Sequence, residues 1–168
     1  MGGKRSTHPH PDEALCDRSH FVAVTQSRIV GRPFHGECMK NRYGFGRAVA
    51  FPFDTAVERV TAALGAEGFG ILTEIDVQAT LKKKLDLDRP RQKILGACNP
   101  SFAAKALDAE PSIGLLLPCN VVVREDAAGQ VHVEMLDPIA LFELTGRAEV
   151  EPLAREVRSR LDRALAAV

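Results

Sequence analysis

The sequence predicts an α+β domain in which helices cover one face of a mainly antiparallel β-sheet. Apolar segments that alternate with period two, as strands do, are separated by segments whose apolar residues recur at helical spacing. Two strand-like segments, 113–124 and 131–136, are joined by a short polar turn around Gly129, which predicts a hairpin. Since a hairpin pairs its strands antiparallel and amphipathic helices need a face to cover, we expect one covered sheet face and one open face.

The first elements follow from alternation and capping. Residues 43–51 alternate large and small side chains, which predicts a strand. A helix is expected next, capped by Asp54 or Thr55 and ending near Gly68, because a glycine is a good helix terminator. Residues 69–77 then predict a second strand.

The central elements are shorter. Residues 77–87 are compatible with a helix or a loop, and 93–97 predict a third strand. Asn99 is expected to cap a second helix with Pro100 at its first position, and Pro111 to close it. After the long apolar strand 113–124 and the hairpin, the chain is predicted to end in a helix whose apolar residues recur every four positions. This stripe is Leu153, Val157, Leu161 and Leu165.

Composition bounds the class of protein. The chain has 168 residues, of which 45% are hydrophobic and 26% charged, with 22 basic and 22 acidic side chains. The length suits one domain, and the zero net charge disfavours a dedicated nucleic-acid binder. Because no apolar run approaches the roughly 20 residues of a membrane span, and no signal-peptide core is found near the N-terminus, we expect a cytoplasmic protein with reduced cysteines and neither membrane nor nucleic-acid partners.

The composition changes near Met39. Four of the five histidines precede this residue, together with several prolines, and apolar periodicity dominates after it. We therefore expect residues 1–38 to form a poorly ordered N-terminal extension and residues 39–168 to form a single α+β domain.

Polar residues of the predicted strands fall on the face that the helices leave open. If the three contributing strands are neighbours, their carboxylates, imidazole and amide converge on one patch. Carboxylates and imidazole are suitable ligands for a divalent metal ion, so Glu74, Asp76 and His132 are the candidate metal ligands. A polar metabolite, or simply a solvated or dimer-facing sheet surface, would fit the same pattern. The five residues are Glu74, Asp76, Asn120, His132 and Glu134.

Two cysteines are candidates for thiol chemistry. Cys98 precedes the expected helix cap, where free N–H groups and the helix dipole favour a thiolate, so it could be a catalytic nucleophile, a redox centre or a soft-metal ligand. Cys119 lies on the same side of its predicted strand as the apolar residues. It is therefore either an inert buried thiol or a redox partner of Cys98. A disulfide between them is sterically open if their segments are adjacent.

Four segments together resemble the bacterial and archaeal family called domain of unknown function 302. The resemblance extends over Met39–Val168. Its motifs are Tyr43–Arg47, Gly68–Val77, Ile94–Pro100 and Ile113–Val121.

The resemblance implies a two-layer sandwich of the TATA-binding-protein-like type, with the order β-α-β(4)-α and a tendency to form dimers. It implies neither DNA binding nor an established reaction, since one fold hosts many functions. The recurring residues of the family, which carry no assigned role, map onto candidates for catalysis and ligand binding. These are Glu74, Asp76, Lys82, Cys98, Asn99, Pro100, Cys119 and Asn120.

Three functions are compatible with these features. The first is a small homodimeric binding domain that takes a divalent metal ion or small ligand on its sheet face or in its dimer cleft. The second is a thiol-dependent redox or transfer protein that uses Cys98 with Cys119. The third is a purely structural dimerisation module.

Overall fold

A computed structural model describes residues 38–168. The expected extension 1–38 lies outside the described residues, apart from its last residue. One sheet contains six strands: β1 (Cys38–Lys40), β2 (Gly44–Val49), β3 (Gly70–Asp76), β4 (Gln92–Cys98), β5 (Cys119–Glu125) and β6 (Val131–Leu136).

Five α-helices and three short 3₁₀ segments complete the described part of the chain. The α-helices are α1 (Phe53–Ala66), α2 (Val77–Leu85), α3 (Pro100–Ala109), α4 (Pro138–Phe142) and α5 (Glu151–Ala166). The 3₁₀ segments are Pro111–Leu116, Glu143–Thr145 and Ala148–Val150. Among the described residues, no helix is both long enough and apolar enough to cross a membrane.

The strand order across the sheet is β1-β2-β6-β5-β4-β3, and every neighbouring pair is antiparallel. This confirms the predicted α+β class and is consistent with a two-layer sandwich. The main core lies between the sheet and the helices α1 and α5. Its fully buried members include Val60 and Leu64 of α1, Leu161 of α5, and Val121, Val123 and Val133 of the central strands.

A smaller apolar cluster joins α3, the 3₁₀ segment that follows it, α4 and α5. Its buried members are Ala106, Ile113, Phe142, Val150 and Ala154. The short helix α4, which periodicity does not predict, contributes Phe142. Asp137 begins this helix because its carboxylate accepts a hydrogen bond from the Ile139 N–H at 3.0 Å.

The prediction of one long strand over 113–124 is wrong for the first half of that segment. Residues Pro111–Leu116 form a 3₁₀ helix, and β5 begins only at Cys119. Pro111 is suited to the first turn of a helix, and Pro118 has no N–H to donate to a sheet ladder. The apolar side chains of this stretch are therefore divided between a helical turn and a strand.

The expected caps meet different outcomes. Asn99 caps α3 as predicted, since its Oδ1 accepts from the Ser101 N–H at 3.2 Å. The cap predicted at Asp54 or Thr55 is wrong, because α1 begins at Phe53 after Pro52 without a side-chain cap. Asp54 instead forms an ion pair with Arg91. The segment 77–87, which is compatible with a helix or a loop by sequence, contains the helix α2.

Candidate functional site

The strand order separates the predicted metal ligands. Glu74 and Asp76 lie on β3 at one edge of the sheet, whereas His132 lies on β6, with β5 and β4 between them. Three strand spacings amount to about 14 Å. The expected convergence of these three side chains is therefore wrong, and among residues 38–168 no group of three or more His, Cys, Asp or Glu side chains has a metal-binding arrangement.

The expected face of the β3 carboxylates is also wrong. Glu74 is paired with Leu95, and Leu95 belongs to the buried core on the helix side. Because paired residues of neighbouring strands share a face, Glu74 lies on the helix side, and Ile75 is on the open side with 48% of its surface exposed. β3 is an edge strand, and its pairing with β4 shifts register between Ile71 and Thr73. Because most of its residues are exposed, burial does not force its apolar side chains to face the helices.

The β3 carboxylates hold local structure. Glu74 forms an ion pair with Lys93 of the neighbouring strand. Asp76 caps α2, since its Oδ1 accepts a hydrogen bond from the Ala79 N–H at 2.8 Å. These partners give both residues a structural role at the exposed end of the sheet.

Lys82 of α2, a predicted ligand-binding residue, is held by carboxylates of its own segment. Its Nζ lies 2.8 Å from an Asp86 carboxylate oxygen and 3.0 Å from one of Asp88. Hydrogen bonds to these two aspartates raise the pKa of Lys82. The side chain therefore serves the α2 C-terminus and the loop after it.

The open face is polar over β5 and β6. Arg124 donates to Glu134 at 2.7 Å, and both side chains are partly buried. His132 Nε2 lies 2.9 Å from Asp126 Oδ2, and hydrogen bonding to His132 is the main reason that the pKa of Asp126 is lowered. Within the described residues, His132 Nδ1 is buried without a hydrogen-bond partner. Asn120 is exposed at the end of β5, on the face opposite Cys119.

The two cysteines, in contrast, are brought together. Cys98 ends β4, and its neighbour Ala97 is the register partner of Cys119 in β5. Both cysteines and Asn99 line one small cavity of about 20 Å³, roughly the space of a single water molecule. Apolar side chains supply the rest of the lining: Phe69, Ala97, Phe102, Ala103, Ala106, Leu117, Phe142, Leu153 and Val157.

Burial dominates the acidity of both thiols. It raises the pKa of Cys98, which is partly exposed. It also raises the pKa of Cys119 to about 11, with the neighbouring Cys98 as the second cause. The direction at Cys98 is the reverse of the thiolate expected at the start of α3, because the apolar walls disfavour the charged form, whereas the direction at Cys119 agrees with the inert buried thiol that was one of its two alternatives.

Sequence reasoning missed the residues that enclose this cavity. Phe142 and Leu153 come from α4 and α5, more than 20 positions after Cys119, and reach it only through the tertiary fold. The sequence contains one usable signal, the pair Asp137-Pro138, which is a typical helix start. That signal predicts α4 but gives no indication of what the helix covers.

Comparison with known proteins gives a family and a structure. The family model described as Domain of unknown function DUF302 matches residues 45–168. A crystal structure of an uncharacterized conserved protein DUF302 from Bacillus stearothermophilus is similar, with 29% sequence identity and a TM-score of 0.70. The match covers 74% of this chain and 96% of that one. The comparison with curated proteins gave no match.

Proposed function

We propose that Cys98 and Cys119 form a reversible redox pair in this chain, which belongs to the family described as Domain of unknown function DUF302. The observation that carries the proposal is that both cysteines line one cavity. Cys98 is partly exposed, whereas Cys119 has 7% of its surface exposed. An oxidant would therefore meet Cys98 first, and Cys119 would act as the resolving thiol behind it.

The sheet places the two cysteines on neighbouring strands, one position out of register. Ala97 and Cys119 are paired across β4 and β5, and Cys98 directly follows Ala97. Cys98 is therefore a diagonal neighbour of Cys119 rather than its partner, and a disulfide would need their Cα atoms to lie about 4.4–6.8 Å apart. Rotation of the Cys98 side chain toward Cys119 is the local movement that bond formation would need.

The chemistry balances with a hydroperoxide as oxidant. The Cys98 sulfur attacks the peroxide oxygen, which forms a sulfenic acid and releases water or an alcohol. The Cys119 sulfur then displaces the sulfenic oxygen as a second water and forms the disulfide. The two thiols together lose two protons and two electrons, which reduce the peroxide O–O bond.

Protonation controls when this reaction occurs. Only the thiolate is an effective nucleophile, and burial raises the pKa of both groups. The pair is therefore expected to react slowly with an oxidant at neutral pH and faster as the pH rises. Such behaviour suits a thiol pair that responds to a strong oxidant rather than one that turns over continuously.

The test uses the full chain with Cys16→Ser and Cys38→Ser, which leaves Cys98 and Cys119 as its cysteines. The protein is treated with hydrogen peroxide and then with a maleimide under denaturing conditions, and its mass is measured. We expect an oxidised form that has lost two hydrogens, takes up no maleimide and regains both thiols with dithiothreitol.

Single substitutions separate the two roles. In the same background, Cys119→Ser should leave Cys98 oxidised to a sulfenic acid that dimedone traps, with no internal disulfide. Cys98→Ser should protect Cys119 from peroxide on the same timescale. If both thiols of the double-cysteine protein remain free after peroxide, or proceed only to sulfinic acids, the redox proposal is wrong.

A second candidate function is the binding of a soft monovalent metal ion by the same two thiols. The observation in its favour is the cavity volume of about 20 Å³, which suits one ion rather than an organic molecule. Thiolate sulfur is the preferred ligand of such ions, and binding releases two protons. Titration with Ag⁺ should give one equivalent bound and two protons released, and neither single serine variant should retain that stoichiometry.

The homodimer expected from the family resemblance is also proposed. Light scattering of the full chain should give twice the chain mass of 18.2 kDa. A mass equal to one chain would contradict it.

A further inference from the structure

We propose that a groove beside the β1–β2 turn binds a short apolar peptide with free termini, whose carboxylate meets Arg42 and whose ammonium group meets Glu143. The groove has a volume of about 440 Å³, within the range of small-molecule sites. The groove shares no lining residue with the cavity that Cys98 and Cys119 line. The proposal is therefore independent of the redox pair.

The groove presents apolar side chains to solvent. Tyr43 has 68% and Leu144 75% of its surface exposed, and both line the groove together with Leu136 and Leu141. Exposed large apolar side chains that are grouped in one concave site are typical of a binding surface. They fit the side chains of an apolar ligand.

Two opposite charges border this apolar surface. Arg42 and Glu143 both line the groove, both are exposed, and neither forms an ion pair within residues 38–168. A fatty acid would match Arg42 and leave Glu143 unmatched, and an alkylamine would do the reverse. A short apolar peptide with free termini carries both charges, so it is complementary in charge to Arg42 and Glu143 and in polarity to the apolar side chains between which it would lie.

The walls of the groove are held in place by the fold. In the β1–β2 turn, the Tyr43 N–H donates to Asn41 Oδ1 at 2.9 Å, and the Tyr43 carbonyl accepts from the Asp137 N–H at 2.9 Å. After α4, the Gly146 N–H donates to the Glu143 carbonyl at 3.2 Å. Preformed walls lower the ordering cost of binding.

The probe is L-leucyl-L-leucine. Tyr43 is the chain's one tyrosine and the chain has no tryptophan, so intrinsic tyrosine fluorescence reports on this groove alone. We expect a saturable change in that fluorescence and a matching heat in calorimetry. The N-acetylated dipeptide and the dipeptide amide should each bind at least about 10-fold more weakly, because each lacks one charge-assisted contact.

Charge-neutral variants locate the two termini. Arg42→Gln should weaken the dipeptide at least about 10-fold and remove the preference for the free acid over the amide. Glu143→Gln should remove the preference for the free amine over the acetylated form. Arg89→Gln and Glu149→Gln, exposed positions outside the groove, are the matched controls and should bind as the unmodified chain does.

Three results would overturn the proposal. The first is the absence of saturable binding, and the second is equal binding of free and capped dipeptides. The third is a dimer that Leu144→Arg dissociates in light scattering, since the occupant of the groove would then be a second copy of the chain.

Discussion

Arg158 of α5 lies over the ring of Phe45 in β2, with its guanidinium carbon 3.6 Å from the ring centroid. The same guanidinium forms an ion pair with Asp137, the cap of α4, and a second with Asp162, where Nε lies 3.0 Å from the carboxylate. The Arg158 and Asp137 side chains are only 15% and 16% exposed. One side chain therefore joins the sheet, α4 and α5.

Replacement of this arginine should destabilise the protein. We expect Arg158→Met to lower the free energy of unfolding by about 2 kcal/mol, because Asp137 is left partly buried without its cation and the contact with the Phe45 ring is lost. Urea denaturation gives the value. Arg155→Met is the matched control, since Arg155 pairs with Glu151 on an exposed helix face and should matter by less than about 0.5 kcal/mol. Equal losses for the two variants would contradict the role given to Arg158.

The buried thiol of Cys119 should make stability depend on pH in the alkaline range. Its pKa is about 11 in the folded protein and about 8.5 for an unfolded thiol. Because the pKa is higher in the folded protein, the stabilisation that comes from the protonated Cys119 thiol is fully present below the unfolded-state pKa. It is lost as the pH rises toward the folded-state pKa. We expect about 3 kcal/mol to disappear over that window.

Comparison with Cys119→Ala isolates the effect. The variant should be less stable than the unmodified chain at pH 7, and the difference should stay constant up to about pH 8.5 and fall above it, with both proteins measured by urea denaturation under reducing conditions. A difference that stays constant with pH would show that the thiol does not titrate as proposed. Cys98→Ala, at a partly exposed position, should show a smaller change.

Two glycines give opposite predictions for the same substitution. A Cβ on Gly46 of β2 would lie 2.4 Å from the Val133 carbonyl oxygen and 2.8 Å from Glu134 Cα, both of which are backbone atoms. Gly46→Ala should therefore cost more than about 3 kcal/mol or prevent folding. Gly65 lies within α1 with nothing within 4 Å of its Cβ position, so Gly65→Ala should raise stability by about 0.5–1 kcal/mol.

Circular dichroism during thermal unfolding tests both substitutions. The melting temperatures should move in opposite directions from that of the unmodified chain. A Gly46→Ala protein as stable as the unmodified chain would mean that β2 and β6 are not as close as the structure has them.

Asp76 should behave as a helix cap. Removal of its carboxylate in Asp76→Ala leaves the Ala79 N–H without its acceptor and should lower the free energy of unfolding by about 1 kcal/mol. Asp76→Asn keeps a side-chain oxygen and should recover most of the loss. If the asparagine variant is as destabilised as the alanine variant, charge rather than capping is the contribution of this residue.

Local signals account for the parts of the fold that the sequence predicts well. Asn99 and Pro100 begin α3 as expected, and the turn at Gly129 joins β5 to β6 with φ at +80°. Asp126 closes that turn, since its N–H and carbonyl bond to Gln130 and Gly129 at 2.9 and 3.0 Å. In each case a few adjacent residues carry the whole physical cause.

The candidate site depends on relationships that no short segment contains. The strand order separates Glu74 from His132, and the edge position of β3 removes the burial that would fix the face of Glu74. The acidity of Cys98 follows from the apolar walls around it rather than from the helix start beside it.

Periodicity, caps and turns are local properties of the chain, and they predict the kind and order of most elements. Only the packed fold establishes which strands are neighbours, which face of an edge strand is covered, and which thiols share a cavity. These depend on the packing of segments that are distant along the chain, and local patterns do not encode that packing where burial does not enforce it.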